Sequence, residues 1–123
     1  MPSGSGSKVL LDTNSLIYSL KQRVNLRDIL LQIPEVSGIS IPRCVIQELE
    51  KMADSVNYAR GALELAKTFQ TVEGTGPADD CILEIASREG YIILTNDREL
   101  AGRAKKSGIR ILSFRQSKRI DFV

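Results

Sequence analysis

Histidine is absent from the chain, which removes Ser-His-Asp and Cys-His nucleophile systems and any imidazole base or metal ligand. Any chemistry must use carboxylates, hydroxyls or lysine. Cysteine is scarce: Cys44 and Cys81 are the two present, far apart and in no C-x-x-C pair. Neither a disulfide framework nor a zinc site is therefore indicated, and both are expected as small buried residues. Long apolar runs are missing as well. The longest reach about four to six residues, against the roughly 20 that span a bilayer, and no basic-then-apolar leader opens the chain. The expectation is a cytoplasmic protein with no membrane partner.

What is present fits one ordinary globular domain. The chain has 123 residues, 42% hydrophobic and 26% charged, enough for a real core but too short for two domains. Residues 1–7, Met-Pro-Ser-Gly-Ser-Gly-Ser, read as a flexible leader or expression scar, leaving 8–123 as the domain. The formal charge is only +2, but it is unevenly placed. From Arg98 onward, eight basic residues (Arg98, Arg103, Lys105, Lys106, Arg110, Arg115, Lys118, Arg119) face two acids, Glu99 and Asp121, so this end carries +6. Such a patch suits a polyanion; a solvated helix face with a basic tail is the plainer reading.

Short apolar runs alternate with helical spacing. Val9-Leu10-Leu11, Ile39-Ser40-Ile41, Tyr91-Ile92-Ile93-Leu94 and Ile109 to Phe114 read as strands, with Thr71-Val72-Glu73 as a short edge strand. Between them, Leu26 to Ile33 has helical spacing and stops at Pro34. Pro42 opens a helix with Val45, Ile46, Leu49 and Met52 on its apolar face. Tyr58 to Phe69 is another amphipathic helix, Ala78 onward opens the next, and Arg98 onward the last, which ends at Gly108. The implied architecture is α/β, a parallel sheet of about five short strands flanked by helices with right-handed crossovers. Gly74-Thr75-Gly76-Pro77 is a turn rather than a P-loop, since no Gly-Lys-Ser/Thr follows it.

Two strands end in the same way. Asp12-Thr13-Asn14-Ser15 breaks the first apolar run, and Thr95-Asn96-Asp97 breaks the fourth. Asp12 is satisfied by a helix N-cap role before Leu16, Ile17 and Leu20, and Asn96 or Asp97 caps the later helix. Ligands in open α/β sheets, however, bind beyond the carboxyl ends of strands. Glu48 lies beside the buried stripe of its helix, either ion-paired with neighbours such as Lys51 or turned toward the same cleft. In the Asp79-Asp80 pair, the helical wheel places Asp79 with Ile82, Leu83 and Ala86 and turns Asp80 toward Glu84 and solvent. Four carboxylates around one cleft repel and take up protons unless a hard divalent cation sits among them. Such a site serves in-line attack on phosphorus.

The series Leu-Asp12-Thr-Asn, Val45-Ile-Gln-Glu48-Leu, Ala-Asp79-Asp80-Cys-Ile and Leu-Thr95-Asn-Asp97 resembles the PIN-domain nucleases over nearly the whole chain, Lys8 to about Phe114. The resemblance implies a single PIN-like domain with Asp12, Glu48, Asp79 and Asp97 as a catalytic acidic site holding Mg²⁺ or Mn²⁺. Thr95 is the hydroxyl neighbour, Asn14 a nearby polar group and Asp80 an additional acid. It also implies RNA as substrate and commonly a homodimer; within the basic end, Arg98, Arg103, Lys105 and Lys106 are expected to contact the phosphates. Two branches match. VapC-type toxin ribonucleases, which imply an antitoxin partner, are similar in length and motifs. The PIN endonucleases of ribosomal RNA processing, which imply ribosome-assembly partners, share the Asp79-Asp80-Cys81 run and the Phe114 to Arg119 tail. A haloacid-dehalogenase-type phosphatase needs a second Asp where Asn14 stands, and a phospho-receiver needs an early acid pair and a middle-strand Asp that are missing. The remaining alternative is a catalytically silent PIN-fold module that binds RNA or protein.

Overall fold

The computed structural model describes residues 6–116 and 118–123. The first five residues of the expected leader, and Ser117 in the basic tail, lie outside the described residues. The elements follow the chain as β1 (Ser7–Leu11), α1 (Thr13–Lys21), α2 (Leu26–Leu31), β2 (Val36–Pro42), α3 (Arg43–Met52), α4 (Ala59–Ala66), β3 (Gln70–Val72), α5 (Ala78–Glu89), β4 (Ile92–Leu94), α6 (Arg98–Lys106), β5 (Ile111–Arg115) and β6 (Arg119–Phe122). Among the described residues no helix is long and apolar enough to cross a membrane.

The continuous apolar runs become the sheet's centre because both of their faces are covered. Val9, Leu10 and Leu11 of β1 and Ile92, Ile93 and Leu94 of β4 are essentially inaccessible. Each large aliphatic side chain buried this way contributes roughly 1.5–3 kcal/mol. Between these strands the helices bury their periodic faces: Val45, Ile46 and Leu49 on α3, Ala62, Leu63 and Ala66 on α4, and Ile82, Ile85 and Ala86 on α5. Gly90 ends α5 with φ of 74°, a left-handed turn into β4 that glycine takes without strain.

Strand order is β3-β2-β1-β4-β5-β6. The chain therefore winds outward from β1 through β2 to β3, then returns to lay β4 on the other side of β1. That reversal is a topological switch point, where crossovers diverge and leave a crevice at the strands' carboxyl ends. β1 pairs in parallel with both neighbours, and its last residue, Leu11, registers with Leu94 at the end of β4.

The first five strands match the α/β expectation; the sixth was not expected. β6 pairs antiparallel with β5 through the register Leu112↔Phe122 to Arg115↔Arg119. The segment expected to trail as a basic tail thus closes the sheet's edge. Its Arg-Ile-Asp-Phe alternation buries Ile120 and leaves Arg119 exposed, a half-buried strand pattern too short to stand out.

The cysteines also depart from expectation. Both are buried as anticipated, but Cys44 on α3 and Cys81 on α5 form a disulfide, their Cα atoms 6.7 Å apart. A separation of 37 residues carries no information about distance; the β2-to-β4 windings set α3 beside α5. The bond staples the helices that carry Glu48 and Asp79. Reduction, or Cys81→Ser, should lower stability by about 2–4 kcal/mol. Urea midpoints measured with and without reductant check this, and an unchanged midpoint would show that the bond adds nothing.

Candidate acidic site at the ends of β1 and β4

Asp12 follows β1 directly and caps α1. Its Oδ1 accepts the Ser15 N–H at 2.8 Å, and its Oδ2 accepts the Thr95 hydroxyl. Thr95 leaves the end of β4, and its Oγ also accepts the Asp97 N–H at 3.0 Å. One hydroxyl therefore ties the two strand ends together. Around it, the Ser15 hydroxyl donates to Leu94 O at 3.1 Å and the Ser113 hydroxyl to Thr95 O at 2.6 Å. These bonds hold the crevice rigid.

Asp12 is 6% exposed with no basic partner among the described residues. Burial pushes its carboxyl above the usual carboxylate range, against the hydrogen bonds from Ser15 and Thr95, and Asp79 adds to the rise. Asp79, half-buried in the first turn of α5, is raised first by burial and then by Asp97, with Glu48 and Glu99 adding and Arg103 opposing. Glu48 accepts a hydrogen bond from the Thr13 hydroxyl; no ion pair to Lys51 forms among the described residues. Asp97 caps α6, its Oδ1 accepting the N–H groups of Glu99 and Leu100 at 2.9 and 3.1 Å.

Asp79 is the common neighbour of the set: Asp12, Asp97 and Glu48 are all close enough to it to interact, and the carboxyls of Asp79 and Asp12 hold their protons more tightly for it. The four acids are not packed as tightly as the sequence suggested. Among the described residues no group of three or more such side chains is positioned to hold one ion by direct ligation. Asp80 points elsewhere, exposed and bridged to Arg103 at 2.7 Å. This is the division the helical wheel indicates. Asn14 is exposed at the crevice mouth.

The basic residues separate into two sets. Arg98 and Lys105 share a face of α6 and line a groove of about 530 Å³ with Thr95, Asp97 and Arg115. Arg103 and Lys106 are not among its walls, and Arg103 faces Asp80. Arg115 was counted among the basic residues but not as a wall of this groove, and Asn96 was read as a candidate cap of α6, whereas its amide donates to Phe114 O at 3.1 Å and accepts the Phe114 N–H at 2.8 Å. Thr13 and Ser15, which hold Glu48 and Asp12, were not singled out in the sequence. Their only local signal is position within the polar break after β1.

Comparison with known proteins agrees with this fold. The profile described as "PIN like domain" matches residues 9–117. Ribonuclease VapC9 of Archaeoglobus fulgidus is 35% identical, over 95% of this chain and 92% of its own length. The rRNA-processing protein fcf1 of Schizosaccharomyces pombe is 37% identical over 85% of this chain. This chain spans only 57% of that relative's length. Among solved structures, the PIN domain endonuclease Utp24 superposes with a TM-score of 0.80 at 33% identity, covering 94% of this chain and 92% of that one.

Proposed function

This chain belongs to the PIN-like domain family, and from that premise we propose that it is a Mg²⁺- or Mn²⁺-dependent endoribonuclease that hydrolyses RNA phosphodiester bonds at the β1 and β4 strand ends. One observation carries the reading. Asp12 is buried without a cationic partner among the described residues while Asp79 raises its proton affinity further. A cap alone needs no such burial, since an exposed Asp or Ser caps a helix equally well, and a carboxylate held in electrostatic conflict is a mark of a functional cleft.

The donor set fits a hard divalent ion. All the groups are carboxylate oxygens, and their mutual repulsion is relieved by a cation. Their spacing suits an ion that keeps several waters and takes only one or two carboxylates directly, the usual habit of Mg²⁺. Asp12, Asp79, Asp97 and Glu48 would hold it between them, one or two directly and the others through its waters. When bound, such an ion supplies Lewis acidity toward a phosphoryl oxygen and a more acidic attacking water. The chain's own residues supply orientation. Thr95 fixes Asp12 against Asp97, Ser15 locks the Asp12 carboxyl, and Arg98, Lys105 and Arg115 along the groove are placed to contact phosphates on the way in.

A circular, labelled single-stranded RNA tests this directly, because only internal cleavage opens a circle. With Mn²⁺ or Mg²⁺ the circle should linearise, and with chelator it should stay closed. An intact circle under every metal condition, with RNA still bound, would leave the silent RNA-binding module as the function. The physiological target is read separately. RNA crosslinked to the protein in cells assigns a processing role if it is ribosomal precursor. Growth arrest relieved by a small co-expressed partner assigns a toxin role.

A further inference from the structure

Beside the acids lies a second cleft, of about 290 Å³, lined by Asn14, Ser15, Tyr18, Asn96, Asp97 and Phe114. We propose that it receives one unstacked nucleobase of the RNA, adjacent to the phosphodiester at the acids, with Tyr18 as the stacking surface. The proposal rests on the nuclease reading for its position and deepens it.

Four features argue for this occupant. The first is continuity: Asp97 belongs both to the acidic cluster and to the cleft wall, and Ser15 in the wall holds Asp12. Whatever fills the cleft is the neighbour of whatever meets the acids. The second is chemistry. The two aromatic rings lie 4.7 Å apart, tilted by 51°, and every base has a π-face that stacks on such side chains irrespective of sequence. The third is size, just under the roughly 300–1,000 Å³ of small-molecule pockets, which suits a single base rather than a base pair. A duplex keeps its bases stacked inside, so only a single-stranded or bulged nucleotide enters.

The fourth is preorganisation. The Asn96 amide bonds both the N–H and the C=O of Phe114, fixing the backbone from which that ring projects, and the Ser15 backbone and hydroxyl are both engaged. The Asn14 side chain makes no hydrogen bond among the described residues. Its amide, both donor and acceptor, can meet a base edge.

The test is binding of a short single-stranded RNA to the Asp12→Asn protein, which separates binding from cleavage. One 2-aminopurine is moved along the strand, then replaced at the same position by an abasic nucleotide. At one position the fluorescence should be quenched and loss of the base should weaken binding on the order of tenfold, the scale of one base stacked on an aromatic ring. Tyr18→Leu, which fills the space without a π-face, should bind intact RNA about tenfold more weakly and no longer sense the abasic site. Tyr18→Phe should bind like the parent. Equal affinity for abasic strands at every position, or full affinity in Tyr18→Leu, overturns the proposal. The two readings fail separately. Base-dependent binding by a protein that never cuts RNA removes only the nuclease reading, and cleavage indifferent to Tyr18 and to the missing base removes only the base cleft.

Discussion

Asp12→Asn should lose RNA cleavage by about a hundredfold or more, the scale on which preorganised electrostatic stabilisation of a transition state disappears, while the metal-free protein melts no lower than the parent at neutral pH. The two halves have one cause. Asparagine keeps the cap, since its Oδ1 can still accept the Ser15 N–H and asparagine is as good an N-cap as aspartate. Its amide meets the Thr95 oxygen where the carboxylate accepted the hydroxyl. What disappears is a buried negative charge facing Asp79.

The sign with pH follows from the direction of the shift. Burial, with Asp79 adding, raises the Asp12 carboxyl above its unfolded value of 3.8. Its favourable contribution is therefore complete below that value and is lost as pH rises through the higher folded value. The melting temperature of the parent relative to Asp12→Asn should fall as pH is raised from about 4 towards neutrality, measured in chelator by calorimetry. Adding Mn²⁺ should restore the parent by mass action, by roughly 2.7 kcal/mol at a hundred times the dissociation constant, and leave the variant unmoved. A variant that cleaves like the parent, or one that unfolds well below it without metal, would show that Asp12 serves the fold rather than the reaction.

The neighbouring acids of α5 should behave oppositely to each other. Asp79→Asn is expected to lower cleavage on the order of 10- to 100-fold, as for groups that orient a metal site. Asp80→Asn should stay within about fivefold. Asp79 is half-buried and feels Asp97 and Glu48, whereas Asp80 spends its charge on an exposed bridge to Arg103. A surface pair of that kind contributes at most about 1 kcal/mol. Single-turnover cleavage at saturating metal compares the two, and equal losses would mean that both carboxylates reach the substrate or its ion.

The placement of Asp79 and Asp80 was legible because a helix converts sequence spacing into direction, and of the residues Ile82, Leu83 and Ala86 used to mark the inward side, Ile82 and Ala86 are buried and Leu83 is half-buried. Asp12 and Asp97 were legible for a similar reason: an apolar run buried on both faces can end only where polar residues meet solvent. The cap role holds for both, Asp12 on α1 and Asp97 on α6, and Asp97 also lines the cleft beside them. Glu48 was only half legible. Its position beside the buried stripe showed in the spacing, but its partner, Thr13, lies 35 residues away.

By itself the sequence determined the class of fold, the order of the first five strands and the helices between them, the inward acid of the α5 pair and the want of any histidine chemistry. All of these follow from composition or from patterns repeating within a few residues, where burial and capping act locally. The tertiary structure decided which strands are neighbours, and hence that β1 and β4 bring Asp12 against Thr95. It also decided that Cys44 reaches Cys81, that Asn96 clamps Phe114 beside the acids, and that Arg119–Phe122 pairs with β5 instead of trailing. These contacts join segments far apart in the chain. Several short apolar strands compete for the same pairings on nearly equal terms, and only simultaneous packing of all the helices against the sheet selects among them.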